Sequence, residues 1–174
     1  MMKKIASILF IALMPLMVFA GDYTEGKQYT EISNKVSSKA EVREYFSFYC
    51  PHCLKFEPFM ATVKKQLPKD VSFVRNHVDF LRAASPEIQQ MLSKALVIAQ
   101  QLKIEDKIVA AIFNHIQVKK ASVSSIDDVR KLFELNGVAG DKFDKLSTSF
   151  SVNSKVKKMK NSQENLTKKR ALNS

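Results

Sequence analysis

A chain of 174 residues with 45% hydrophobic and 26% charged side chains has the apolar content of one globular domain, with or without an inserted subdomain; a disordered or fibrous chain is excluded. The net charge of +11 raises nucleic acid or anionic lipid as partners. Much of it lies in the last twenty residues (Lys155, Lys157, Lys158, Lys160, Lys168, Lys169 and Arg170), with no aromatic residues between them to stack bases, so a solvated helix face is expected and no nucleic acid.

The first twenty residues read as a secretory signal peptide: Lys3 and Lys4, an apolar run from Ile5 to Phe19, and a small-x-small site at Val18-Phe19-Ala20. That run is about fifteen residues, against the roughly 20 a spanning helix needs, and Pro15 interrupts it. The mature chain is therefore expected to begin at Gly21 and to be exported. From there to Lys39 the pattern is weak, with a short strand possible around Tyr29 to Ile32.

Glu41 to Tyr49 carries strand formers on both faces, as in a central strand covered by helices. Pro51 suits the first turn of a helix, and helical spacing runs through Phe56, Phe59, Met60, Val63 and Leu67, with Pro58 expected to kink it. A turn at Leu67 to Asp70 leads to a second strand over Val71 to Phe80. Strand, helix and strand in forty residues form a βαβ unit, normally right-handed with parallel strands.

The rest is expected to be helical. Ser85 caps a helix with Pro86 at its first position and apolar residues from Ile88 to Leu102. A second helix carries Ile104, Ile108, Ile112 and Ile116; a third starts from a Ser125/Asp128 capping pair and stops at Gly137. A fourth begins after Gly140, includes Phe143, Leu146 and Phe150, and fades into the basic tail. The expected division is leader 1–20, βαβ part 21–83, helical subdomain 84–150 and basic helical tail 151–174.

Both cysteines, Cys50 and Cys53, fall at the strand-to-helix junction. A disulfide between them closes a four-residue loop and constrains the unfolded chain by only about 2 kcal/mol, so the pair is a poor staple and a good reactive site. Zinc wants four ligands and none of the three histidines has finger spacing; covalent haem needs a histidine where Leu54 stands. Redox exchange requires a stabilised thiolate. Cys50 at a helix N-terminus meets free N–H groups and the positive end of the dipole, and His52 can donate to it or carry charge beside it. Both favour the reduced form and make the disulfide an oxidant, with Cys50 attacking and a more buried Cys53 resolving. His77 and His115 are expected to be packing residues.

The run Phe46-Ser47-Phe48-Tyr49-Cys50-Pro51-His52-Cys53, with Val42 to Tyr45 before it, resembles the active-site strand and helix of the DsbA family of periplasmic thiol oxidants. Gly26-Lys27-Gln28-Tyr29, His77-Val78-Asp79-Phe80 and Leu102 to Lys107 are similar too. The resemblance implies an α/β, thioredoxin-like fold with an inserted helical subdomain and protein disulfide oxidoreductase activity through Cys50, Pro51, His52 and Cys53. It also implies no cofactor beyond the redox-active disulfide, reduced exported proteins as substrates, and a membrane quinone-linked disulfide reoxidase as partner. Glu44 stands where the family has a buried acid assisting proton movement at Cys53, and Arg75 in the place of its basic partner. Family members also close the site with a cis-proline loop, followed by two strands and a helix. The five prolines here end at Pro86, so the expectation is a chain truncated before that loop, its C-terminal strands and helix missing, or else a divergent one. The alternative function is a non-catalytic peptide-binding or chaperone-like fragment.

Overall fold

The structure is a computed structural model that describes residues 23–32 and 37–172; the expected leader at residues 1–20 lies outside them. Residues 23–31 belong to a small unit of their own, and Ile32 onward to a second. In the first, Gly26 at φ +82° bends the chain into a turn. Gly26 N–H donates to the Tyr29 carbonyl at 2.8 Å, and the strand expected around Tyr29 to Ile32 reduces to an isolated bridge between Glu25 and Tyr29.

In the second unit, β1 (Glu41–Phe46) and β2 (Ser72–His77) pair in parallel, joined by α1 (Pro51–Gln66). The register sets Glu44 opposite Arg75 and Phe46 opposite His77. Both strands end earlier than their apolar runs, at Phe46 and His77 in place of Tyr49 and Phe80. Phe48 and Val78 are buried nonetheless: apolar content marks a buried position, and a strand needs ladder hydrogen bonds as well. Among the described residues the sheet has these two strands alone.

The helices follow as α2 (Pro86–Gln101), α3 (Glu105–Phe113) with a wider π turn at Asn114–Val118, α4 (Ile126–Glu134), α5 (Gly140–Ser147) and α6 (Phe150–Leu172). Local chemistry accounts for their starts. The Ser85 hydroxyl accepts from Ile88 N–H at 3.4 Å with Pro86 next in the chain. Ser125 and Asp128 form a reciprocal capping box. Beyond the end of α4, Gly137 takes φ +89°, a left-handed conformation that costs glycine no Cβ clash. The fourth expected helix is in fact two. Thr148 and Ser149 interrupt it, their hydroxyls donating to the carbonyls of Asp144 and Leu146, and Ser149 then caps Val152 N–H. The basic tail is helical to Leu172 and does not fade.

The core runs from the end of the sheet into the helices. Phe46 and Phe48 join Leu92, Leu96, Ile108, Ile112 and Phe113, and Phe133 meets Phe143 with ring centroids 4.9 Å apart. Each such side chain contributes about 1.5–3 kcal/mol by leaving water. The strand end is thereby held firmly from the helical side.

Candidate active site

The chain leaves β1 through Ser47-Phe48-Tyr49, a tight turn in which Cys50 N–H donates to the Ser47 carbonyl at 3.0 Å and Tyr49 N–H to the Ser47 hydroxyl at 3.2 Å. Cys50 is then the N-cap of α1 (φ −91°, ψ 110°), with Pro51 at the first helical position, where a missing N–H costs nothing. The cap ligand is the Cys50 sulfur, which accepts Cys53 N–H at 3.2 Å. Sulfur stands where a serine or aspartate oxygen usually caps, so the helix N-terminus supplies a donor and a positive dipole end to that atom.

Cys53 is half-buried, as Cys50 is. Burial above all, then its hydrogen bond with Cys50, pushes the Cys53 thiol up to about 11; the nearby charge of Glu44 adds to this, while a hydrogen bond with the Ser47 backbone works against it. The two sulfurs differ in surroundings although both are half-buried: the Cys50 sulfur caps the helix, and the Cys53 thiol, pushed up by burial, keeps its proton at neutral pH.

His52 is exposed, and its ring lies along α1, stacked on Phe56 at 5.5 Å and 25°. Phe56 in turn meets Phe59 at 4.7 Å. His77 is fully buried between Phe46 and Phe48, and His115 on the π turn bonds the Ser122 carbonyl at 3.1 Å through Nε2.

Glu44 and Arg75, opposite each other in the parallel register, form an ion pair at 3.1 Å with side chains 10% and 3% exposed. Arg75 also reaches Glu57 on α1 at 2.8 Å and Asp106 on α3 at 3.2 Å. One buried guanidinium thus ties both strands, the active-site helix and the helical part together, using the fork of donors that lysine lacks. Glu57 is pushed up by burial, against the pull of Arg75, and its Oε1 is buried without a partner among the described residues. Glu57 and Asp106 were missed at the sequence level, although Glu57 stands one helical turn after Cys53 and so on its face.

Two further elements reach the cysteines. A cavity of about 290 Å³ lies against Cys50 and Cys53, walled by Tyr45, Phe46, Val78 and Leu166. From the π turn, Gln117 Nε2 donates to the Phe48 carbonyl at 2.8 Å and to the Cys50 carbonyl at 2.9 Å. Nothing in the local sequence points to Gln117.

A parallel strand followed by a helix capped by the first cysteine of a C-x-x-C pair, with an acid close to the second cysteine, defines a thioredoxin-like thiol:disulfide oxidoreductase. The chain belongs to the DSBA-like thioredoxin domain family, which it matches over residues 41–167. It is 40% identical over 169 residues to the thiol:disulfide interchange protein DsbA of Haemophilus influenzae, covering 94% of this chain and 80% of that one. To the protein of that name from Escherichia coli K12 it is 35% identical over 158 residues, covering 89% and 74%. Among solved structures, Proteus mirabilis DsbA with a non-covalently bound peptide PWATCDS aligns at TM-score 0.74 and 36% identity, covering 83% of this chain and 76% of that one. The disulfide interchange protein of Klebsiella pneumoniae aligns at TM-score 0.75 and 26% identity, covering 85% and 78%. The chain is a protein disulfide oxidoreductase with a thioredoxin-like fold.

Proposed function

We propose that this protein, exported to the periplasm after loss of its first twenty residues, donates a Cys50–Cys53 disulfide to reduced exported proteins. A substrate thiolate attacks the Cys50 sulfur, the Cys50–Cys53 bond breaks, and Cys53 leaves with the bonding pair and takes up a proton. A second substrate thiolate then attacks the substrate sulfur of the mixed disulfide and expels Cys50 as a thiolate. The substrate loses two electrons and gains a disulfide; the protein holds the electrons as its dithiol, and a membrane quinone-linked oxidase is the partner that removes them.

The observation that carries this is the Cys50 sulfur accepting the Cys53 N–H at the start of α1. A donor and a helix dipole aimed at one sulfur stabilise it as leaving group. The high affinity of Cys53 for its proton makes the first step hard to reverse through that atom. Glu44, paired with Arg75, is the proposed group for moving that proton, and Pro51 and His52 hold and flank the helix start. The peptide bound by the Proteus mirabilis relative contains a cysteine, which fits a cysteine-bearing substrate segment here.

The test is oxidation of a reduced multi-thiol protein by catalytic amounts of the chain in a glutathione buffer. Turnover by the wild type, its loss in Cys50→Ser, and a trapped mixed disulfide on Cys50 in Cys53→Ser are the expected results. Peptide binding without turnover would leave the non-catalytic reading standing and sink this one.

A further inference from the structure

The two hydrogen bonds from Gln117 belong to none of the steps above. Both end on carbonyls of the turn that carries the nucleophilic sulfur, Phe48 and Cys50, at 2.8 and 2.9 Å. The Cys50 carbonyl also accepts Leu54 N–H at 3.3 Å, so Gln117 supplies its second bond. Gln117 is half-buried and stands one turn beyond Phe113, whose ring packs on Phe48 at 5.2 Å. The same helical face thus meets the redox turn with an apolar ring first and an amide next. The π turn closes with Lys119 N–H donating five residues back to the Asn114 carbonyl at 2.8 Å; such wide turns often mark functional positions.

From this we infer that Gln117 is a positioning residue of the dithiol, through which the helical part sets the oxidising strength of the site. The inference rests on the redox reading of Cys50 and Cys53. Carbonyl oxygens carry partial negative charge, and those of Phe48 and Cys50 belong to the backbone adjoining the Cys50 sulfur. When that sulfur is a thiolate they oppose it; when it is half of a disulfide the opposition is small. An amide donating to both offsets their dipoles and fixes the turn that aims Cys53 N–H at the sulfur. Gln117 therefore stabilises the reduced form more than the oxidised one, which makes the disulfide a stronger oxidant.

Gln117→Leu keeps the size and removes the donors; Gln117→Glu keeps the shape and replaces donors with acceptors. The full chain is equilibrated with glutathione, and each redox form is unfolded in urea. In Gln117→Leu the dithiol–disulfide equilibrium moves toward disulfide by about 3- to 10-fold, and tenfold corresponds to about 30 mV for two electrons. Gln117→Glu moves it further in the same direction, and the reduced form of each variant loses more stability than the oxidised form. Equal destabilisation of both forms with an unchanged equilibrium would reduce Gln117 to a structural clamp and overturn the inference. Should Gln117→Leu fail to fold, Gln117→Asn, whose amide falls one methylene short, is read against the same two outcomes. A wild-type pair that does not equilibrate with glutathione sinks the underlying redox reading; a wild-type pair that does, matched by its variants, sinks only the role of Gln117.

Discussion

His77 ties stability to pH. Its ring stacks on Phe48 at 5.0 Å and 28°, meets Phe46 edge-on at 5.7 Å, and bonds the Ser93 hydroxyl through Nδ1 at 2.8 Å. Ser93 spends its own proton on the Gln89 carbonyl at 3.2 Å, so Nδ1 is the donor and Nε2 carries a lone pair. Nε2 is buried with no partner among the described residues; protonating it puts a charge in the core with none of them to accept it. Burial accordingly pushes His77 down to about 3, whereas in the unfolded chain it titrates near 6.5. The unfolded state binds the extra proton between those values. Stability from this group is therefore complete above pH ~6.5 and is lost as pH falls toward ~3, at up to about 1.4 kcal/mol per unit. Between pH ~7.5 and ~4.5 the loss comes to about 2.5 kcal/mol. His77→Phe places a ring that cannot titrate in the same aromatic stack, at an overpacking cost of about 1–3 kcal/mol that does not depend on pH. Urea unfolding of both proteins at several pH values should show the variant's deficit shrink by about 2.5 kcal/mol on acidification. A deficit that stays constant across that range would refute the reasoning, because it would mean that His77 takes up its proton alike in the folded and unfolded chains.

Three further outcomes are expected. Arg75→Met leaves the largely buried Glu44 and the half-buried Glu57 without their cation and should cost about 3–5 kcal/mol in urea unfolding, most of it recovered when Glu44 is also replaced by Leu; no recovery in the double variant would show that the ion pair is not the cause. Alkylation of the reduced protein followed by mass spectrometry should modify Cys50 well before Cys53 at pH ~8, with Cys53 catching up only as pH approaches ~11, since its raised value holds the proton until then; equal rates at pH ~8 would contradict that. Asp128, held down at about 2 by hydrogen bonds from Ser124 and Ser125, is the partner of the N-cap Ser125 in the α4 capping box: Asp128→Ala should lower stability by about 1 kcal/mol at neutral pH. That difference is present above pH ~4 and fades as pH falls through ~2, where the wild-type carboxylate is itself protonated.

The parts of the fold that depend on near neighbours were legible without coordinates. Pro51 after Cys50, Pro86 after Ser85, and the Ser125/Asp128 pair each place a helix start through groups within three residues. Periodicity placed the long apolar faces, and the parallel pairing of β1 and β2 followed from the strand–helix–strand order. The errors came where a local pattern had two outcomes. An apolar run overstated both strands, because Phe48 and Val78 are buried outside them, and a continuous periodicity hid the Thr148/Ser149 break between α5 and α6.

By itself, the sequence determined where the candidate dithiol sits: two cysteines one helical turn apart, the first at a helix start, where backbone amides that any such helix provides face its sulfur. Tertiary structure alone decided what surrounds them. Arg75 meets Glu57 and Asp106, His77 enters an aromatic core, and Gln117 reaches the Cys50 carbonyl from 67 residues away. The physical reason is the range of the interactions. Capping and dipole effects act within one turn and are written in adjacent letters, whereas burial and long-range hydrogen bonds depend on which surfaces meet once the chain has closed on itself.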